Sequence, residues 1–417
     1  MIALASVLCA CGFALLVVPV VVLFAECVAG ARRSRSSPSA SDGGPSTVVL
    51  IPAHDEEPII RRTLEALRPE VPDFARVVVV ADNCTDATAN VARGAGVEVV
   101  ERCDPARRGK GYALHFGLTR LAERPPEVVV ILDADCTVSK GAIALLARRA
   151  HAEQRPVQAD YLLELGPAPT IRSRISAFAF AVRNRVRARG ASRLGIPCQL
   201  TGTGMAFPFA QLSGLSLANS ELVEDMVMGL ELAARGFMPS YDADARVVSA
   251  LPDDRGVALG QRRRWEQGHL TTLFRRGPTL LLRGVRSGSA ARIGMALDLM
   301  VPPLALLTML VGLYAAAAAG ARLLLGLFWP VYGALGLLAL FLVAVGAAWS
   351  GEGRALIGLH HLAMVPLYVA WKIPVYVALG LRRGQKSWQR TARVPSAPAN
   401  PTDAASTTER RATGSGG

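Results

Sequence analysis

The chain has 417 residues, of which 51% are hydrophobic, and its mean hydropathy is +0.32. This composition excludes an ordinary soluble protein, and the length allows one sizeable soluble domain beside several membrane spans. The formal net charge is +13, and because no nucleic-acid recognition motif accompanies it, an anionic membrane surface is the favoured neighbour and nucleic acid is not.

The first segment of the chain is predicted to be a membrane span. Residues 1–24 are apolar and uncharged, and no basic residue precedes them as one would in a cleaved signal peptide. Residues 25–46 form a linker that contains the basic run 31–35 and then becomes rich in Ser, Pro and Gly. Because basic flanks favour the cytoplasmic side, the domain that follows is expected in the cytoplasm.

The segment 47–275 alternates between short apolar runs and stretches with helical spacing. The runs are Val48–Pro52, Val77–Ala81, Val97–Val100 and Val128–Leu132, and the helical stretches are Glu57–Leu67, Gly111–Leu121 and Gly141–Ala150. Continuous apolar runs separated by helices are typical of a parallel sheet that is buried on both faces. We therefore predict an α/β domain with a doubly wound, mostly parallel sheet, in which ligands bind beyond the carboxyl ends of the strands.

Acidic residues follow three of these predicted strands, as Asp55-Glu56-Glu57, as Asp82 with Asp86, and as Asp133-Ala134-Asp135. Glu57 and Asp86 are favoured as acids that stabilise the start of a helix. Asp133 and Asp135 differ, because two carboxylates at the end of a buried strand repel each other unless a cation lies beside them. A hard divalent ion that also binds phosphate oxygens meets this need.

Three further segments carry residues that suit a ligand. Arg107–Gly111 opens a helix with basic residues that suit a phosphate, although the spacing of a Walker A loop is absent. The glycines of 202–204 would let a ligand approach the backbone closely. Glu224-Asp225 starts a helix, where acids also have a purely stabilising role. The seven cysteines show no zinc-ligand spacing and are expected to be reduced, buried side chains.

A second membrane region is predicted at 290–380, with two or three helices drawn from apolar stretches near 293–320, 323–349 and 355–380. Three crossings would place the basic start of 381–417 outside, against its preference for the cytoplasm, so one stretch is expected not to cross. The stretch that does not cross is expected to be the first, as an interfacial helix, or the last, because both contain polar residues and prolines. These residues are Asp298, Pro302, Pro303, His360, His361, Pro366, Lys372 and Pro374. Residues after about 395 are expected to be disordered.

Four motifs occur in the order typical of glycosyltransferase family 2: Asp82, then Asp133-Ala134-Asp135, then Glu224-Asp225, then Gln-x-x-Arg-Trp at 261–265. They cover about residues 45–275, with apolar segments on both sides. The chain resembles the membrane-integrated branch of this family, which includes cellulose, chitin, hyaluronan and poly-N-acetylglucosamine synthases and ceramide glucosyltransferase. The resemblance implies a GT-A-like domain with flanking transmembrane helices in an integral protein of the plasma membrane.

The resemblance also implies roles for single residues. Those expected to bind the nucleotide sugar are Ala53, His54, Glu56, Asp82, Lys110 and Asp133. Asp135 would hold Mg²⁺ or Mn²⁺, and Asp225 would be the general base. Arg264 would neutralise the leaving diphosphate, on a helix face shared with Gln261 and Trp265. Trp265 would stack under the acceptor sugar, and Gly202, Thr203 and Gly204 would also contact the acceptor.

The chemistry of glycosyl transfer requires the same groups. A metal and an arginine can stabilise the leaving diphosphate, a carboxylate can take the proton of the acceptor hydroxyl, and both sugars must be held in line. One base without a second carboxylate nucleophile predicts single displacement with inversion.

The acceptor is open between two classes. The Gln-x-x-Arg-Trp motif favours a growing polysaccharide, with UDP-glucose or UDP-N-acetylglucosamine as the donor. The small membrane region favours transfer of one sugar to a membrane lipid. A non-catalytic scaffold or transporter is disfavoured by the complete set of acids.

Two basic segments remain. Arg262 and Arg263 lie off the face shared by Gln261, Arg264 and Trp265, so they are expected to contact solvent or lipid head groups. Residues 386–393 resemble a Trp-x-x-Thr-x-Arg-like loop that covers the nucleotide in some synthases, and a juxtamembrane basic segment is the alternative.

Overall fold

The computed structural model describes residues 1–32, 43–215, 217, 223–251, 255–362 and 364–380. Most of the predicted linker, at 33–42, and the whole of 381–417 with its basic segment and tail lie outside the described residues.

Within the described residues an eight-stranded sheet forms the centre of the α/β domain, in the order β3-β2-β1-β4-β7-β6-β8-β5. The strands are β1 Thr47–Ala53, β2 Ala75–Asp82, β3 Glu98–Arg102, β4 Val128–Ile131, β5 Cys136–Val138, β6 Val157–Glu164, β7 Met205–Pro208 and β8 Ser240–Ala250. Strands β3, β2, β1 and β4 are parallel, which confirms the prediction from the Val-rich runs.

The other half of the sheet is mixed. β6 and β8 are parallel, whereas β7 runs antiparallel to both β4 and β6, and β5 runs antiparallel to β8. The short strand β5 follows β4 after a loop of only a few residues, without a crossover helix, which suits its reversed direction.

Helices cover both faces of this sheet, so the doubly wound prediction is also confirmed. Alternate residues of β1 point to opposite faces, and all of them except Pro52 are buried. Val49 and Ile51 pack with α2 (Glu57–Leu67), α3 (Thr88–Gly94) and α5 (Ala142–Glu153). Val48 and Leu50 pack with α4 (Lys110–Leu121) and α8 (Glu224–Ala234).

Three described helices are long and apolar enough to cross a membrane: α1 (Ile2–Gly30), α11 (Leu304–Leu325) and α12 (Trp329–Gly351). Contacts at both ends show that α12 lies alongside α1 in the same direction. The Trp329 indole N–H donates to Ser6 Oγ over 3.1 Å, and a Cβ on Gly351 would lie 2.5 Å from the carbonyl oxygen of Ala31. The α/β domain follows α1, and α11 is joined to α12 by a short turn. The ends of these helices nearest the domain are therefore the end of α1, the start of α11 and the end of α12.

The remaining helices lie between the sheet and the spans. They are α6 (Ile171–Ala181), a π-helical turn (Val182–Arg187), α7 (Ala188–Arg193), α9 (Arg255–Arg286), α10 (Ala290–Leu299), α13 (Leu359–Leu362) and α14 (Val365–Gly380). The apolar stretch near 293–320 divides at Pro302-Pro303 into α10 and α11. α14 has 16 residues, fewer than the roughly 20 that a span needs, and Lys372 within it pairs with Glu266 of α9.

The spans are docked on the domain through close backbone contact and buried ion pairs. A Cβ on Gly190 would lie 1.9 Å from the carbonyl oxygen of Glu26, so only glycine allows α1 and α7 to approach this closely. Arg187 pairs with Glu26 at 2.6 Å and with Asp298 of α10. One guanidinium therefore joins the first span, α10 and the domain.

Candidate active site

A cavity of about 200 Å³ lies at the carboxyl ends of β1, β2 and β4, where the α/β rule places a ligand. All of the predicted site residues line it except Thr203 and Gly204. These residues are Ala53, His54, Glu56, Asp82, Lys110, Asp133, Asp135, Gly202, Asp225, Gln261, Arg264 and Trp265.

The loops after β1 and β2 form one end of the cavity. Asp82 is buried, and its carboxylate accepts a hydrogen bond from Arg102 at 2.6 Å. His54 Nδ1 lies 2.7 Å from the Asp82 carbonyl oxygen, which fixes the first loop against the second. Asp86 Oδ1 accepts from the Thr88 backbone N–H at 3.0 Å at the start of α3, as the helix-start interpretation predicts.

Lys110, the first residue of α4, lies at the centre of the charged groups. Its ammonium pairs with Asp133, donates to the Gly202 carbonyl oxygen at 2.6 Å and lies 3.9 Å from Glu224. Burial alone would lower the pKa of Lys110, but the carboxylates of Asp133 and Glu224 outweigh burial and raise that pKa. Lys110 therefore stays positively charged, and it connects the loop after β4 to the first turn of α8.

Asp133 and Asp135 fit a hard divalent cation. Their carboxylate oxygens and Cys136 Sγ all lie within 4.8 Å of one another. Burial raises the pKa of the Cys136 thiol well above its ordinary value, so the sulfur stays protonated and is a poor ligand for such an ion. The backbone N–H of Asp133 donates to Thr203 Oγ1 at 3.0 Å, which fixes the position of this acidic pair. Oxygen donors of this kind suit Mg²⁺ or Mn²⁺.

Glu224 and Asp225 bring two more carboxylates to the cavity from the first turn of α8. Burial raises the pKa of Glu224 to about 7, although Lys110 opposes the shift. Burial likewise raises the pKa of Asp225, against the same ammonium. A carboxylate with a raised pKa that faces a cavity is suited to accept a proton.

The helix α9 contributes Gln261, Arg264 and Trp265 to the same cavity, as expected from their spacing. The Trp265 ring lies 5.7 Å from the ring of Phe180, which in turn lies 5.1 Å from that of Tyr161. All three rings line the cavity and follow one another in a row, of which Trp265 is the last member.

Residues 45–268 match the family model described as glycosyltransferase-like family 2, which is more than half of the chain. The chain belongs to this family. The fold, the order of the acids and the shared cavity agree with that membership.

The chain is also similar to proteins that are named glycosyltransferases. The chain is 35% identical over 112 residues to the probable glycosyltransferase YdaM of Bacillus subtilis, which is 24% of this chain and 26% of YdaM. It is 35% identical over 96 residues to the 4,4'-diaponeurosporenoate glycosyltransferase of Staphylococcus aureus, or 22% and 24% of the two chains. These matches span about a quarter of each relative.

Among solved structures, the chain is similar to the mannosyltransferase PcManGT from Pyrobaculum calidifontis, whose structure contains GDP-mannose and Mn²⁺. The TM-score is 0.53 with 19% identity, over 89% of this chain and 99% of that chain. This likeness shows that the two proteins share a fold.

Thr203 and Gly204, which were expected to contact the acceptor, lie behind the family 2 site. Thr203 is fully buried. Gly204 has φ +64°, and a Cβ there would lie 2.6 Å from Val247 Cγ2 and 2.8 Å from the Ala159 Cβ. The two residues support Asp133 and the packing of the sheet. Gly202 and Trp265 do line the cavity, and their contact with the acceptor stays a prediction.

The sequence analysis did not identify the polar cavity residues Arg183 and Asn184. Arg183 and Asn184 belong to the π-helical turn and line the cavity beside Asp225. Burial lowers the pKa of Arg183, and the Asp225 carboxylate opposes that shift. The segment 182–189 is rich in arginine, but no family motif covers it, and a single inserted helical residue is not visible in a sequence pattern.

Arg262 does not line the first cavity, as its spacing predicts. Its Nη1 donates to the buried hydroxyl of Ser176, and it lines a second cavity of about 110 Å³. Contact with lipid head groups stays a prediction. Arg263 is half-buried as well. The second cavity shares Phe180, Arg183 and Trp265 with the first, so the two meet at the end of the aromatic row.

Proposed function

We propose that this glycosyltransferase moves one sugar from a nucleotide-sugar donor to a hydroxyl group of an amphiphilic acceptor at the membrane, with inversion and with Mg²⁺ or Mn²⁺ as cofactor. The observation that carries the proposal is the pair of adjoining cavities. One is polar and lined by the family acids, and the other is walled by apolar residues at the domain ends of the spans.

The polar cavity takes the donor, for which UDP-glucose or UDP-N-acetylglucosamine is proposed. Asp82 and His54 would bind the base and ribose, and Lys110 would approach the diphosphate. Asp133 and Asp135 would hold the divalent ion, which neutralises negative charge on the diphosphate when it is bound. The solved mannosyltransferase with GDP-mannose and Mn²⁺ supports a nucleotide sugar and a divalent ion as a class.

Asp225 is the proposed general base. The acceptor oxygen attacks the anomeric carbon as Asp225 takes its proton, and the bond from that carbon to the diphosphate oxygen breaks. The Arg264 guanidinium and the Lys110 ammonium compensate the charge that develops on the leaving group. No second carboxylate is assigned as a nucleophile, so the reaction is a single displacement that inverts the anomeric centre.

The second cavity favours the lipid alternative over the polysaccharide. Its walls include Leu23 of α1 and Leu304 and Ala305 of α11, side chains that suit hydrocarbon. The name of one relative states that it glycosylates 4,4'-diaponeurosporenoate, which supports a non-saccharide acceptor. A polysaccharide remains the second candidate, because Trp265 offers an aromatic face on which a sugar ring can stack.

We also propose that the protein lies in the plasma membrane with its α/β domain in the cytoplasm, in the membrane-integrated branch of the family. The three long apolar helices and the basic residues at Arg32 and Arg33 support this orientation.

Product sizing tests the function. The full chain in lipid nanodiscs is incubated with Mn²⁺, a membrane lipid extract and each of several radiolabelled nucleotide sugars. A single labelled lipid that carries one sugar is expected, and Asp225→Asn should abolish it. A ladder of oligomers would indicate a polysaccharide acceptor instead of a lipid. If no donor releases its nucleoside diphosphate, both candidate functions are contradicted.

A further inference from the structure

The second cavity contains more basic groups than its acids neutralise. Four arginine and lysine side chains line it. Arg187 pairs with Glu26 and Asp298, and Lys372 pairs with Glu266. The other two, Arg183 and Arg262, form no ion pair with any carboxylate in the part of the chain that the structure describes.

Arg183 and Arg262 also have unused hydrogen-bonding capacity. The Arg183 side chain forms no hydrogen bond with another described residue. Arg262 donates from Nη1 to Ser176, but its Nε is buried without a partner among the described residues. A guanidinium has five N–H donors, so most of the donors of these two side chains face a cavity and not a protein acceptor.

A bound anion would complete this arrangement. A buried donor such as Arg262 Nε, without a partner among the described residues, costs stability, whereas a phosphate or carboxylate bound to guanidinium donors forms short, charge-assisted hydrogen bonds. Arginine is the residue best suited to this recognition, since its planar fork matches both anions.

The walls around the two guanidiniums are apolar. Leu23, Val301, Leu304 and Ala305 come from the end of α1 and from the start of α11, where the spans enter the domain. A free anion would gain nothing from these walls. An anion attached to a hydrocarbon chain would bury that chain against them and satisfy the guanidiniums together.

We propose that this cavity binds the anionic group of an amphiphilic lipid acceptor, a phosphate or carboxylate, with Arg183 and Arg262 as its ligands and the hydrocarbon chain against α1 and α11. This assignment rests on the proposed function and narrows its acceptor class. Because Arg183 lines both cavities, the anion lies beside the donor site, and the acceptor hydroxyl reaches Asp225 past Trp265.

The test is equilibrium binding of matched probes to the full chain in nanodiscs of a zwitterionic lipid, with empty discs subtracted. The probes are dodecyl phosphate, dodecanoate, dodecanol and inorganic phosphate. Dodecyl phosphate or dodecanoate should bind at least about tenfold more tightly than dodecanol and than inorganic phosphate, which is the discrimination that about 1.4 kcal/mol gives. Arg183→Gln and Arg262→Gln should each remove the preference for the charged probe.

Arg276→Gln is the matched control, because Arg276 is exposed on the same helix as Arg262. Arg276→Gln should leave all four affinities unchanged. Arg183→Lys keeps the positive charge and should therefore retain part of the preference for the charged probe that Arg183→Gln loses. Thermal unfolding of each variant confirms that it is folded.

Three results would overturn the assignment. Equal binding of dodecyl phosphate and dodecanol would show that the cavity does not recognise the anionic group. Equal binding of dodecyl phosphate and inorganic phosphate would show that the cavity does not bind the hydrocarbon chain. If Arg183→Gln weakens UDP binding and leaves dodecyl phosphate binding intact, Arg183 serves the donor instead. Donor-dependent release of UDP, measured separately, reports on the proposed function, so the two can fail independently.

Discussion

Gly202 and Asp225 lie so close together that a Cβ on Gly202 would come 3.2 Å from Oδ2 of Asp225. Gly202 has φ +95°, a conformation that glycine adopts readily, and its carbonyl oxygen accepts from Lys110 at 2.6 Å. This one residue therefore leaves space for the carboxylate of Asp225 and holds the ammonium that lies nearby. Burial raises the pKa of Asp225, the Lys110 ammonium opposes that rise, and the missing side chain at Gly202 leaves the carboxylate accessible.

Asp225→Asn tests the base directly. The amide keeps the size of the side chain but cannot take the acceptor proton, so kcat should fall by about 10²–10⁴-fold. UDP binding, measured by titration in the presence of Mn²⁺, should stay within about threefold of wild type. Asp244→Asn, at an exposed position of β8, is the control and should retain full activity. A kcat within tenfold of wild type in Asp225→Asn would assign the base elsewhere.

Asp135→Asn tests the metal site. Loss of one carboxylate ligand should remove several kcal/mol of transition-state stabilisation and lower turnover by about 10²-fold or more at a fixed Mn²⁺ concentration. The Mn²⁺ concentration for half-maximal activity should rise, and EDTA should abolish wild-type activity until the ion is restored. The exposed Asp73→Asn should behave as wild type. Unchanged Mn²⁺ dependence in Asp135→Asn would contradict the ligand assignment.

The pH dependence of activity and of stability should have opposite signs. Asp225 must be ionised to act, and since burial raises its pKa, kcat/KM should fall as pH falls, at a pH above the ordinary range of aspartate. Glu224 has a folded-state pKa raised to about 7 from 4.5, so the folded protein binds its proton more tightly than the unfolded chain does. Its contribution to stability is therefore present below pH 4.5 and is lost as pH rises through 7.

Rate profiles and denaturant unfolding, both across about pH 3 to 9, measure the two effects. Glu224→Gln should flatten the rise in stability on acidification. An acid limb of kcat/KM centred near pH 4 would show that the carboxyls titrate as if exposed.

The parts of this fold that follow repeating patterns were predictable. Val48–Pro52 and Val77–Ala81 have the continuous apolar character of buried parallel strands, and the acids that follow them meet because parallel strands end at one edge. The antiparallel strand Met205–Pro208 has the same apolar character, so its direction could not be read. Direction is set by the loops and by tertiary packing, which local spacing does not encode.

The cavity residues Arg183 and Asn184 were missed for a related reason. Their segment carries four arginines at alternate positions from 183 to 189, and these point toward different neighbours. Arg185 pairs with Asp160 and Arg187 with Glu26, partners that lie 25 and 161 residues away in the chain. Which arginine stays unpaired depends on where those partners fold.

Gly190→Ala tests how the first span is docked. The new Cβ would lie 1.9 Å from a backbone oxygen of α1, so the helices must separate, at a cost of roughly 2–3 kcal/mol. The midpoint of thermal unfolding in nanodiscs should fall accordingly. Gly94→Ala is the matched control, because a Cβ at that helical position meets no atom within 4 Å, and it should be neutral or slightly stabilising. Equal unfolding midpoints for the two variants would mean that α1 is not held at Gly190.

Membrane topology follows from the directions of α1, α11 and α12. A cysteine at position 354, after α12, should react with an impermeant thiol reagent on the same side as a cysteine at the domain position 244. A cysteine at position 328, between α11 and α12, should react only on the opposite side. Arg354→Cys, Asp244→Cys and Phe328→Cys are made in a background that lacks the exposed Cys11 and Cys103. Labelling of 328 and 354 on one side would show that α12 does not cross.

The docking of α1 also has a consequence for biosynthesis. The span is made first, yet the arginine that pairs with Glu26 follows 161 residues later, and Trp329, which bonds to Ser6, follows 323 residues later. On the proposed membrane topology, α1 would wait in the bilayer with an acidic residue near its end while the whole α/β domain is synthesised and folds. Docking of α1 is then a late event, in which a finished catalytic domain binds a helix that was made long before it.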